Sequence, residues 1–167
     1  MLLDALDFER TSDENSSVGG GVLGSILSGA LDLIGKVWSL PNTVLGLVAG
    51  GVGYVAGTIL GTNPGVSIGN NAIQFTNLPL GASGGGALTL GNVQLYHNAV
   101  PTESVPRYDQ TATVNLGRHE EAHTYQSQVL GPFFLPVYFA TGGISTNNPL
   151  EAAADNYAAG GRWWPWP

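Results

Sequence analysis

The sequence predicts an α+β fold, and three observations predict it. Apolar residues at 22, 23, 26, 27, 30, 31, 33 and 34, followed by an uncharged run over 43–61, describe a glycine-rich apolar helical hairpin. Two stretches, 65–76 and 87–96, alternate apolar and polar residues around a Gly-Asn pair, as short strands of a small antiparallel sheet do. Two later proline-free runs, from 115 to 130 and beyond Pro149, read as helices; one carries H-E-x-x-H and the other E-x-x-x-D. The chain divides into an acidic tail (1–18), the hairpin (19–62) and an α+β domain (63–167).

Composition narrows the function. Only 10% of the 167 residues are charged, against about a quarter in an ordinary soluble domain. With no cysteine, disulfide frameworks and thiolate metal sites are excluded, leaving histidine and carboxylate as ligands. The net charge is −7 and no basic cluster exists, so nucleic acid is not an expected partner. Asp4, Asp7, Glu9, Asp13 and Glu14 crowd the first residues, which lack the basic start and apolar run of a signal peptide and read as a flexible acidic tail.

Within the hairpin, Ser39-Leu-Pro-Asn-Thr43 marks a break, with Asn42 or Thr43 as the cap of the second helix. The uncharged run 43–61 is long enough to span a bilayer, and Gly53, Gly57 and Gly61 form a small-residue stripe suited to close helix contact. Asp32 and Lys36, four apart and able to pair, argue against a simple span. The expectation is therefore a packed or interfacial hairpin, with possible membrane contact through 20–61. Residues 78–86 read as a loop and 98–114 as a surface loop. Gly131-Pro132 stops the first site helix, and Phe133–Phe139 is expected to close the core beneath it. The ending Arg162-Trp-Trp-Pro-Trp-Pro167 is expected to pack back on the domain.

The chemistry centres on His119-Glu120-Glu121-Ala122-His123. Residues four apart on a helix lie about 40° apart around its axis, so both imidazoles share a face and can grip one divalent cation, most often zinc. Glu120 projects about 100° from His119. That places a carboxylate beside the metal, where it acts as a base rather than a ligand. Glu121 points away, as a solvated carboxylate. In the second helix, Asn148 as cap and Pro149 as first residue make a clean start, and Glu151 and Asp155 share a face. Glu151 can equally complete a capping box with Asn148.

H-E-x-x-H followed by E-x-x-x-D resembles the glutamate-ligand zinc metallopeptidases, the gluzincins. The metzincin variant does not fit, since positions 126 and 129 are Gln and Val. The resemblance implies Glu151 as third zinc ligand and Asp155 as the residue that orients a ligand histidine. It leaves His97, Tyr125 and Tyr157 as candidate transition-state donors, and Tyr96 as the end of a strand able to pair with an extended peptide. The segment from His119 onward, with Leu40-Pro-Asn-Thr-Val-Leu-Gly-Leu47, Gly69-Asn-Asn-Ala-Ile73 and Leu90-Gly-Asn-Val93, also resembles metallopeptidase domains at the ends of bacterial Rhs-type polymorphic toxins. That likeness implies zinc-dependent peptide hydrolysis on a protein substrate, delivery into a target cell as part of a larger secreted carrier, and an immunity protein as partner. Two alternatives remain: a membrane-inserting effector with a structural metal site, and a degenerate zincin serving as a binding module.

Overall fold

The computed structural model describes residues 18–80, 86–107 and 111–167. The expected acidic tail, up to residue 17, lies outside the described residues, as does the middle of the loop expected over 78–86. Helices α1 (Val18–Trp38) and α2 (Leu40–Leu60) form where apolar periodicity places them. They do not form a hairpin. Only Ser39 separates them, they share few contacts, and each docks separately on the rest of the chain. The expected caps are corrected too. Ser39 occupies the cap position without a side-chain cap bond, and Pro41, which has no N–H to satisfy, sits in the first turn. Thr43 Oγ1 instead donates to Ser39 O at 3.0 Å, and Asn42 Nδ2 reaches across the fold to Gly131 O at 2.8 Å.

Helix α2 packs through its glycines. A Cβ on Gly46 would stand 2.7 Å from Val93 Cβ, and one on Gly50 2.5 Å from the Phe75 ring. Gly53 and Gly57 continue this contact against Leu78 and Thr62, whereas Gly61, at φ 74°, is the left-handed residue that ends the helix. Helix α1 docks through polar groups. Asp32 and Lys36 pair as expected, Lys36 Nζ also donates to Asn71 Oδ1 at 2.6 Å, and Gln128 Nε2 donates to Asp32 Oδ1 at 3.2 Å.

Four strands follow: β1 (Gly65–Gly69), β2 (Ala72–Thr76), β3 (Ala87–Leu90) and β4 (Val93–Tyr96). Asn70 and Asn71 both adopt positive φ, 47° and 57°, as the tight turn between β1 and β2 requires. Gly91 does the same at φ 64° between β3 and β4. The sheet order is β1-β2-β4-β3, with β2 and β4 parallel. It is therefore mixed, not the antiparallel sheet expected: two hairpins lie side by side, joined through their second strands. β2 and β4 are consequently the inner strands, and β1 and β3 are the edge strands among the described residues. The supposed surface loop 98–114 holds a two-stranded ribbon, β5 (Val105–Pro106) with β6 (Thr113–Val114).

Helix α3 (Leu116–Leu130) begins at Asn115, whose side chain accepts from Arg118 N at 3.1 Å. It ends at Gly131, which opens a 3-10 turn (Gly131–Phe133) into helix α4 (Phe134–Ala140). Helix α5 (Pro149–Ala158) starts as expected, with Asn148 Oδ1 accepting from Leu150 N. Phe134, Tyr138 and Leu150 fill the space beneath α3, and Trp163 packs back against Ala122 and Ala154.

Two glycines separate close packing from backbone freedom. Gly46→Ala is expected to destabilise the fold by about 1–3 kcal/mol, because Val93 and the Leu90 carbonyl cannot both yield. Gly51→Ala meets nothing within 4 Å and is expected to stabilise by about 0.5–1 kcal/mol. Denaturant midpoints of the two variants check this.

Candidate metal centre

Helices α3 and α5 meet over small residues, Ala122, Ala153 and Ala154, all buried. The close approach sets the polar faces of the two helices against each other. His119 Nε2 and His123 Nε2 lie 3.1 Å apart. The Glu151 carboxylate approaches them from α5, its oxygens 3.3 Å from His119 Nε2 and 3.4 Å from His123 Nε2. All three residues are buried and together can hold a metal ion.

The groups behind the histidines decide what their Nε2 atoms are. His119 Nδ1 lies 2.9 Å from Asp155 Oδ1, a pure acceptor, so it carries the proton. His123 Nδ1 lies 2.8 Å from Gln126 Oε1. The orientation of that amide is settled by its nitrogen, which donates to Leu150 O at 3.0 Å and Trp163 O at 2.8 Å. Both neutral imidazoles therefore aim an Nε2 lone pair at the same point as a carboxylate. A metal cation satisfies that arrangement and the donor set fits one; without a metal, a proton on His119 meets the same carboxylate. Glu151 is held in turn by Tyr138, whose hydroxyl donates to its Oε1. Asp155 is paired through its other oxygen with Arg107.

The titration behaviour of the metal-free cluster shows the same demand for positive charge. Burial works to lower the His119 pKa, but hydrogen bonds to Asp155 and Glu151 overcome it and push it up to about 10. Burial tends to raise Glu151, yet its bonds to His119 and His123 hold it well below the usual carboxylate range. Asp155 is likewise lowered, its own burial outweighed by His119 and Arg107.

Glu120 stands beside the cluster and does not join it. Its Oε2 accepts from Thr89 Oγ1 on β3 at 2.6 Å. His119, Glu120, His123 and Glu151 share one wall of a cleft of about 670 Å³, whose other walls include β3, Tyr96, Arg107 and the apolar side chains of α4. Glu121 is half-buried rather than solvated, accepting from Tyr125 Oη at 3.1 Å.

The three expected donors do not line this cleft. Tyr125 and Tyr157 belong to the aromatic layer with Trp163, and Arg118 lies over the Tyr157 ring at 4.5 Å. His97 follows β4, its backbone N bonded to Gly86 O. Thr89, Gln126 and Tyr138 take up orienting roles that sequence reasoning did not assign. Gln126 alone had a local signal, an amide three residues beyond His123 on the same helical face. Comparison with protein-family models, curated proteins and solved structures returns no significant match to this chain.

Asp155→Asn and Gln126→Ala are each expected to weaken metal binding about 10–100-fold, read by competition with a chromophoric chelator. The metal-free fold has a definite pH window. Depressed carboxylates contribute stability above their ordinary values of 4.5 and 3.8, and lose it as pH falls. The raised His119 contributes below 6.5 and loses its contribution as pH rises through about 10. The thermal midpoint of chelator-treated protein is expected to fall on both sides.

Proposed function

We propose that the chain is a zinc-dependent peptide-bond hydrolase. The carrying observation is the convergence of His119 Nε2, His123 Nε2 and Glu151 on one point, with Glu120 fixed alongside at the wall of an open cleft. Zinc suits the donors: two imidazoles and a carboxylate at metal bonds of about 2.0–2.1 Å stand about 3.3–3.4 Å apart in a tetrahedron. The two Nε2 atoms are 3.1 Å apart, and the carboxylate comes within the same range of both, Oε2 at 3.3 Å from His119 and Oε1 at 3.4 Å from His123. Calcium and magnesium favour more numerous oxygen ligands. Three protein ligands, among the described residues, also leave the fourth position that distinguishes catalytic zinc sites from closed structural ones.

Bound zinc supplies Lewis acidity, polarising a carbonyl and lowering the pKa of water in the open position to about 7. The chain's own residues do the rest. Glu120 takes the proton of the attacking water at its carboxylate and returns it to the departing amine nitrogen. Thr89 holds Glu120 in place, and Asp155 and Gln126 keep the ligand nitrogens unprotonated. The free edge of β3, on the cleft wall, offers backbone groups to an extended peptide, which favours peptide over other substrates. Action as a delivered bacterial toxin, checked in its producer by an immunity protein, is a proposal resting on the likeness to Rhs-type toxin ends alone.

Glu120→Gln is expected to retain stoichiometric zinc by elemental analysis while losing about 10²–10⁴ of turnover on a quenched-fluorescence peptide library. Unchanged turnover removes the base role; loss of zinc shows the residue belongs to the metal shell.

A further inference from the structure

Helices α1 and α2 are built inside out. The small residues of α2 face the sheet, and its large ones face away: Val44, Val48, Val52, Val55 and Ile59 are 54–79% exposed. On α1, Gly35, Asp32 and Lys36 turn toward the protein, while Ile26, Leu33 and Ile34 are more than 60% exposed. A helix that only completed a core would bury its large side chains and show polar ones. Single exposed apolar residues are ordinary, but a continuous face of them is not.

Two observations bear on what covers it. The first is charge. No Asp, Glu, Lys or Arg occurs between Lys36 and Glu103, so the outward face of α2 is wholly uncharged and matches only an uncharged occupant. The second is the treatment of the hydroxyls on these helices. Ser25 donates to Gly21 O at 2.9 Å, Ser28 to Ser25 O at 3.1 Å and Thr58 to Tyr54 O at 2.9 Å. Each is satisfied within its own helix, as helical hydroxyls commonly are, so none of them needs water when hydrocarbon covers the face.

We propose that the outward faces of α1 and α2 lie in the apolar layer of a lipid bilayer, with the helices along the membrane surface and the cleft-bearing domain beside it. By length and composition α2 is able to cross a membrane. Its glycine face, however, is in backbone-level contact with the sheet, and a crossing would carry the buried glutamines of β2 and β4 into hydrocarbon. A second copy of the chain fits less well, because the flanking charges that set register between paired helices are missing and the small-residue ridge is already used. With a net charge of −7, attachment gains nothing from anionic headgroups.

The full chain is expected to float with phosphatidylcholine vesicles in a density gradient, equally in low and high salt. Val52→Glu, at a site open to solvent, is expected to lower partition about tenfold or more while keeping its metal content. The chain has no cysteine, so a polarity-sensitive dye on Val52→Cys reports one place. Its emission is expected to brighten and shift to the blue on adding vesicles, whereas the same dye on Glu103→Cys does not respond. Failure to float, equal partition of Val52→Glu, an unresponsive dye at 52, or a dimer in lipid-free buffer that Val52→Glu dissociates would each overturn the proposal. None of these readouts uses peptidase activity, so the hydrolase reading stands or falls separately.

Discussion

Two imidazole nitrogens and a carboxylate aimed at one buried point make the constraint on which the rest of the structure depends. Each Nε2 is turned inward because an acceptor behind the ring, Asp155 Oδ1 or Gln126 Oε1, claims the opposite nitrogen. The same bonds join α3 to α5, since His119 faces Glu151 and Asp155 one turn apart, and Gln126 reaches the carbonyl of Leu150. Ligand placement and helix packing are thus one arrangement. Removing either histidine takes a polar partner from α5 as well as a candidate ligand from the site, and a buried carboxylate that loses a partner is costly.

The ring of supporting groups is wide for so small a site. Tyr138 from α4 holds Glu151, Arg107 from the loop before β6 holds Asp155, and Thr89 from β3 holds Glu120. Three separate elements therefore fix side chains that themselves come from only two helices. Such support limits the rotamers open to His119, His123 and Glu151 and keeps Glu120 at a fixed offset from them.

What the sequence made legible was local. The spacing of His119 and His123, the Asn148-Pro149 helix start and the Asp32–Lys36 pair all depend on residues within four of one another, and helical geometry alone relates them. Glu151 was ambiguous for the same reason: a carboxylate three beyond an N-cap serves the cap or a distant site equally well. Tertiary docking resolved it, since Asn148 bonds Leu150 N and leaves Glu151 to the histidines. The sheet order and the orienting tyrosine were not legible, because each follows from contacts between separate segments of the chain. The outer helices show a further limit. Periodicity finds an apolar stripe but does not say which way it faces, and here glycine, not valine, marks the inner side.

Thr89 carries one more consequence. The strand that fastens the Glu120 carboxylate is also an edge strand, so whatever zips onto that edge grips the residue that holds Glu120. Occupancy of that edge and alignment of the Glu120 carboxylate are mechanically linked through Thr89. Under the proposed hydrolase function, a guest too short or too twisted to lie along β3 would reach the histidine cluster yet leave Glu120 poorly seated.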